Sequence, residues 1–284
     1  MNKFNAYWRL MRADRPIGTY LLAWPTLWAL MIAANGQPAF KIVVLFMLGT
    51  FLMRSAGCVI NDFADRKLDG HVTRTHQRPL PAGEVSPTEA VVIFALLLFA
   101  AFIVVLQFNT ETVMLSFLAA GIAALYPFCK RWTHLPQVVL GIAFSVGILM
   151  AFSAQNANQW FIASVLFVAN VVWTVMYDTE YAMADREDDL HIGIRSTAIL
   201  FGRYDRLIIG LLQIATVLLL AYVTHWLNWS WPLVLSLVII TALFVYQQRL
   251  IKEREPSLCF RAFLHNHYVG MTYAVGLAWH YWFI

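Results

Sequence analysis

Two short runs of acidic residues interrupt an otherwise apolar chain. The first is Asn61-Asp62-Phe63-Ala64-Asp65-Arg66-Lys67-Leu68-Asp69; the second is Asp178-Thr179-Glu180, followed by Asp185-Arg186-Glu187-Asp188-Asp189. Asn61, Asp65 and Asp69 are spaced four apart, so a helix puts them on one face, and Asp185 and Asp189 repeat the spacing with Asp178 two turns earlier. Like charges stacked this way destabilise a helix by about 0.2–0.5 kcal/mol per pair, so a cation is expected among them. All-oxygen ligands favour a hard divalent ion, and Mg2+ commonly binds through one or two carboxylates completed by water and substrate phosphates. A solvated acidic face neutralised by arginines would explain one such run, but two matched runs weaken that reading.

The two runs match in detail. A shift of 120 residues maps Asp65, Arg66, Asp69 and His71 onto Asp185, Arg186, Asp189 and His191, each copy reading D-R-x-x-D-x-H. Basic residues accompany both: Arg66, Lys67, Arg74 and Arg78 after the first, Lys130 and Arg131 after Tyr126, and Arg186 and Arg195 in the second. Carboxylates, a metal and a ring of Arg and Lys together make a site for a polyanion, most economically a diphosphate. Lys130 and Arg78 are the foremost candidates, because their loops are short or turn-rich (Arg78-Pro79-Leu80-Pro81-Ala82-Gly83). For any single arginine, setting the membrane topology is the simpler role.

Arg54 differs from these. It lies inside an apolar run seven residues before Asn61, on the same helical face. A charge within a span costs at least about 2.5–3.5 kcal/mol, so it is expected to face a cavity, where a guanidinium can hold a substrate carboxylate by two hydrogen bonds. Ser55, Ala56, Gly57 and Cys58 beside it are small enough for close approach. Packing against an acid is the alternative.

These residues need elements to position them, and the composition says which. Hydrophobic residues make up 60% of the 284 and charged residues 13%, whereas soluble proteins carry about a quarter charged. Nine apolar runs read as spanning helices: 17 to 34, 41 to 60, 90 to 108, 112 to 128, 136 to 154, 160 to 177, 207 to 227, 230 to 247 and 268 to 284. The first is too long for a signal peptide's apolar core and reads as a retained span. With the N-terminus inside, 18 of the 20 lysines and arginines fall on the cytoplasmic side; Lys41 lies outside and Arg54 within a helix. This distribution explains the isoelectric point near 9.0 without nucleic acid. Trp160, Trp226, Trp229, Trp231, Trp279 and Trp282 fall near outer ends, as an interfacial belt requires. The three cysteines show no pair spacing, and His265-x-His267 has no partner at useful spacing.

The expected fold is therefore all-α: a polytopic membrane protein with nine transmembrane helices around a central cavity. The shift of 120 residues spans four helices, so both acidic runs emerge on one membrane face, as a parallel internal repeat predicts. The expected organisation is one domain, residues 1–284, with pseudo-repeats at 17–128 and 136–247 and a ninth helix. No obligate protein partner is expected.

Over essentially its whole length the sequence resembles the UbiA family of intramembrane aromatic prenyltransferases. Asn61 to Asp69 is similar to the family's N-D-x-x-D-x-x-x-D motif, Asp185-x-x-x-Asp189 to its D-x-x-x-D, and Tyr126-Pro127-Phe128-Cys129-Lys130 to its Y-x-x-x-K. The resemblance implies a cavity open to lipid, with Mg2+ bridging Asn61, Asp65 and Asp69 to Asp185 and Asp189 through a prenyl diphosphate. Arg66, Lys67, Arg74, Arg78, Tyr126, Lys130 and Arg186 would attend the diphosphate. Arg54 and Arg15 would hold the carboxylate of an aromatic acid, and Asp178 or Asp62 would orient its phenol or accept a proton. Arg15-Pro16-Ile17-Gly18, Trp24-Pro25-Thr26-Leu27-Trp28 and Arg78-Pro79-Leu80 look most like members that prenylate 4-hydroxybenzoate for ubiquinone in the bacterial inner membrane. Family members acting on dihydroxynaphthoate, haem or a chlorophyll precursor are the alternative. A divalent-ion transporter fits less well, because transporter sites lie near the midplane and the only deep charge here is positive.

Overall fold

The computed structural model describes residues 2–66 and 77–282. Among them the only regular structure is helical: α1 (Lys3–Leu10), α2 (Ile17–Ala33), α3 (Phe40–Asp65), α4 (Pro87–Val105), α5 (Thr110–Cys129), α6 (Pro136–Ala154), α7 (Trp160–Ala184), α8 (Arg186–Ile192), α9 (Thr197–Phe201), α10 (Asp205–Trp226), α11 (Trp231–Leu250) and α12 (Pro256–Trp282). A 3-10 turn (Gly202–Tyr204) joins α9 to α10.

A helix stands at each of the nine expected places. Seven helical segments in the described residues have the length and apolarity to cross a bilayer: α3 to α7, Thr197–Trp226 and α11. The other two depart for visible reasons. α2 is apolar but only 17 residues long. α12 begins at Pro256, twelve residues before the expected 268, because Arg261, His265, Asn266 and His267 hide its first turns from a reading of hydropathy. The protein is a polytopic membrane protein.

Local signals set the helix starts. Ser86 and Glu89 form a reciprocal capping box ahead of Pro87 at the first position of α4, and Asn109 accepts from the Thr112 amide to start α5. Pro136 opens α6 in the same way. In lipid, backbone groups must be satisfied within the segment, which is why caps concentrate at the interfaces.

The core lies where α2, α6, α7 and α12 meet. Trp28 and Trp173 stack at 5.5 Å, Tyr273 meets Trp28 edge-on at 5.2 Å, and Tyr177 meets Trp173 edge-on at 5.4 Å. Each indole satisfies its N–H: Trp28 donates to the Gly270 carbonyl at 3.0 Å and Trp173 to Asn266 Oδ1 at 2.9 Å. Asn266 donates in turn to Glu180 Oε2 at 2.9 Å, tying α12 to the helix that carries the second acidic run. Gly270 passes so close to Trp24 that a Cβ there would sit 2.6 Å from the indole, and this closeness seats α12 against α2.

Both helices that lead into the acidic runs overshoot their apolar stretches. α3 continues to Asp65 and α7 to Ala184, so the carboxylates ride on rigid extensions of spanning helices.

Candidate functional site

One cavity of about 900 Å3 collects the chemistry. α3 contributes Arg54, Cys58, Asn61, Asp62 and Asp65; α7 contributes Asp178 and Tyr181; Asp185 and Asp189 come from the start of α8. Tyr126 and Lys130 at the end of α5, Arg78, and Arg9, Arg12 and Arg15 from the N-terminal segment complete the polar end. The far wall is apolar and includes Phe99, Phe102, Phe108 and Phe117. Phe99 and Phe117 are also exposed on the outside of the bundle, so the apolar end reaches toward lipid.

Specific contacts hold the two acidic runs at one end. Lys130 pairs with Asp65, while its own carbonyl accepts from the Arg195 amide at 3.0 Å, three positions beyond the end of α8. Arg195 also donates to the Trp132 carbonyl at 2.7 Å, and Arg131 donates to the Ala64 carbonyl at 2.8 Å. The loop after α5 thus bridges the end of α3 to the segment following the second motif. The Thr197 amide donates to Gln137 at 3.1 Å and its hydroxyl meets that of Thr179 at 2.7 Å, pinning that segment to α6 and α7. Gly193 ends α8 at φ +74, a left-handed cap that suits a residue without Cβ.

Arg54 reaches into the cavity alongside Gly18. A Cβ on Gly18 would collide with the guanidinium, so the small residue makes its lodging possible. Nη1 lies against Cys58 Sγ, while the buried Nε has no hydrogen-bond partner among the described residues. A buried unsatisfied donor of this kind is costly, and an entering anion relieves it.

Two expected anion ligands are engaged elsewhere. Arg66 stacks on Phe63, 4.2 Å from the ring centroid, and donates to the Phe63 carbonyl. Arg186 pairs with Asp205 rather than entering the cavity. Asp205, fully buried, also accepts from Arg254 at 2.8 Å, and these hydrogen bonds hold the Arg254 guanidinium above its usual range. The position of Arg186 between two acids suggested a substrate ligand, but the acid that claims it lies 19 residues later, a pairing that spacing does not reveal. This buried knot anchors the second motif to α10 and to the turn before α12. Asp205→Ala leaves two guanidiniums sharing no carboxylate. We expect a loss of about 3 kcal/mol, the lower end of the range for a broken buried pair because Arg254 is partly exposed; a thermal melt of the detergent-solubilised protein within a degree of wild type would refute it.

Asp62 is also held differently from expectation. Both of its oxygens accept from Arg12 at 2.9 Å, and Oδ1 accepts from Arg78 at 3.0 Å. Both carboxylate oxygens are thus engaged by guanidiniums rather than left open for a phenol. Lys67, Asp69 and Arg74 lie outside the described residues. Arg9, Arg12, Gln137, Tyr181 and Ser196 also line the cavity, and nothing in the sequence marks them for the site beyond the three-residue spacing of Arg9, Arg12 and Arg15.

The donor set fits a hard cation. Among the described residues the cavity offers carboxylate and amide oxygens at its polar end and no histidine. Among the described residues no group of three or more His, Cys, Asp or Glu side chains could hold an ion unaided. Mg2+ suits such a site, since it relies on a few carboxylates and takes its remaining ligands from water and phosphate.

A helical membrane bundle whose cavity is charged at one end and apolar toward lipid has the shape and polarity to take an amphiphile. Residues 22–273 match the UbiA prenyltransferase family, and the chain belongs to it. Among curated relatives, a 4-hydroxybenzoate octaprenyltransferase from Idiomarina loihiensis is 68% identical with both chains fully covered, and one from Vibrio vulnificus is 55% identical over 99% of each. The fold is that of a UbiA homologue from Aeropyrum pernix (TM-score 0.80, 22% identity, covering 90% of this chain and 96% of that one). A UbiA homologue from Archaeoglobus fulgidus bound to DMAPP and Mg2+ is also similar (TM-score 0.72, 20% identity, covering 96% and 98%).

Proposed function

We propose that this chain transfers a polyprenyl group from polyprenyl diphosphate to the ring of 4-hydroxybenzoate, ortho to the phenol, as a membrane step of ubiquinone biosynthesis. The observation that carries the reading is the convergence of Asp65, Asp185 and Asp189 with Lys130 and Arg54 in one cavity whose other end is apolar. The naming of its full-length relatives supports the acceptor.

The prenyl chain lies along the apolar wall and its diphosphate at the polar end. Asn61, Asp65, Asp185 and Asp189, with Asp69 of the same motif, would hold Mg2+, and the ion would supply positive charge to offset that developing on the leaving diphosphate. Lys130 and Arg78 donate to the phosphate oxygens, fixed in advance by the short loops that carry them. The allylic C–O bond breaks and its electron pair leaves with the diphosphate, while the apolar wall keeps water from the developing carbocation. Arg54, assisted by Arg15, receives the carboxylate of the aromatic acid and turns the ring so that the carbon ortho to the phenol oxygen bonds to the allylic carbon. The proton displaced from that carbon passes to Asp178. The halves 17–128 and 136–247 act as parallel repeats, each delivering one motif, with the N-terminus and both motifs on the cytoplasmic side of the bacterial inner membrane.

Membranes containing the protein, incubated with radiolabelled 4-hydroxybenzoate, a polyprenyl diphosphate and Mg2+, are expected to yield a lipid-soluble labelled product. Chelation should abolish the product and restored Mg2+ should return it. Turnover of a dihydroxynaphthoate in place of 4-hydroxybenzoate would overturn the acceptor assignment.

A further inference from the structure

Asp62 belongs to the first acidic motif by sequence, and its described contacts are with two arginines. It is 1% exposed, and its carboxylate sits between Arg12 and Arg78, whose side chains remain partly open to the cavity. Asp65, three residues on, faces Lys130 instead.

Arg12 reaches this position by a dedicated route. α1 buries Ala6 and Leu10 against Val59, Leu80, Val85 and Ala90, while Lys3 and Tyr7 bind Glu89 at 2.8 and 2.7 Å and Arg9 pairs with Glu84. The chain then turns through Arg12 at φ +56, a left-handed conformation that is uncommon for a side chain of this size. Strain of that kind persists only where the surroundings over-determine it, and it collects at binding sites. Arg12 Nη1 donates back to the Arg9 carbonyl at 3.2 Å, leaving Nη2 to meet both oxygens of Asp62. The region matched to the family begins at residue 22, ten positions after Arg12.

We infer that Arg12 is a diphosphate-binding residue contributed by the segment ahead of the first span, and that Asp62 is the positioning residue that holds Arg12 and Arg78 as a paired set of donors. The inference rests on the prenyl diphosphate reading above. Planar guanidiniums suit phosphate oxygens through parallel hydrogen bonds, and a shared carboxylate keeps two like charges close without mutual repulsion driving them apart. Arg54 serves the aromatic carboxylate from deeper in α3, two helical turns before Asp62, so the pair at the mouth remains for the diphosphate.

The test uses the full chain in nanodiscs and two readouts: calorimetric binding of inorganic pyrophosphate with Mg2+, and separate KM values for polyprenyl diphosphate and 4-hydroxybenzoate. Arg12→Gln should weaken pyrophosphate binding and raise the prenyl diphosphate KM by about tenfold or more, with the 4-hydroxybenzoate KM moving less than twofold. Arg12→Lys, which keeps the charge but not the fork, should recover part of the loss. Asp62→Asn should act in the same direction, and the double variant should be less impaired than the product of the two single effects, because Asp62 works through Arg12. Should Asp62→Asn fail to fold, Arg12→Gln alters a partly exposed side chain and carries the test alone. Unchanged pyrophosphate binding in Arg12→Gln, or a rise confined to the 4-hydroxybenzoate KM, would overturn the inference while leaving the function standing. Wild-type protein that neither binds pyrophosphate nor transfers a prenyl group would instead overturn the function.

Discussion

Replacing Asp65 or Asp185 by Asn is expected to lower turnover by about a thousandfold or more, with the protein still inserted and folded. On the proposed reading each carboxylate serves the leaving diphosphate through the cation it would hold, and removing one fixed electrostatic contact aimed at developing charge costs about a hundred- to a thousandfold. Here the loss reaches further, because Asp65 also holds Lys130, a second cation for the same anion. Asparagine preserves the size of the side chain, and Asp65 lies at the last turn of α3, beyond the apolar stretch. The measurement pairs single-turnover product formation with membrane fractionation and a thermal melt. Residual turnover within tenfold of wild type in either variant, with normal insertion, would remove the bridging role from that residue.

The second large effect falls on the acceptor. Arg54→Gln should lower kcat/KM for 4-hydroxybenzoate by about a hundredfold, chiefly through KM, since a buried charge-assisted hydrogen bond to a substrate contributes about 1.5–3 kcal/mol. The diagnostic comparison is with a phenol that lacks the carboxylate. Wild type should discriminate strongly against it, because the buried guanidinium is then left unpaired, whereas the variant should treat the two acceptors nearly alike. Gly18 makes the same argument from the opposite side: a larger residue there displaces the guanidinium without changing its charge. Equal discrimination by wild type and variant would assign the carboxylate to another cation of the cavity lining, such as Arg15.

The departures of structure from sequence share a physical pattern. Arg66 and Arg186 occupy equivalent places in the two D-R-x-x-D-x-H copies, yet one lies on Phe63 and the other on Asp205. Sequence spacing predicts which helical face a side chain starts from; a long, flexible arginine then chooses among partners that only the packing supplies. Asp62 illustrates the same limit, since its motif marks it as acidic and near a helix end but cannot reveal that an arginine 50 residues earlier arrives to claim it. α12 shows how a mixed composition conceals a helix start, because exposed Arg261, half-buried His265 and His267 and buried Asn266 together depress the apolar signal.

By itself, the sequence determined that the chain is an all-helical membrane protein, roughly where its apolar helices run, and that its carboxylates gather at the ends of two of them. Those features follow from short-range rules: an apolar run long enough to cross lipid has no alternative to a helix, and a four-residue spacing has no alternative to one face. Only the tertiary structure decided which cations stand beside which acids, that Arg54 rests in the space left by Gly18, and that the N-terminal segment delivers Arg12 to the mouth of the cavity. The reason is that ion pairing in a crowded, low-dielectric mouth depends on distances of a few ångströms between segments far apart in the chain, and no local pattern encodes those.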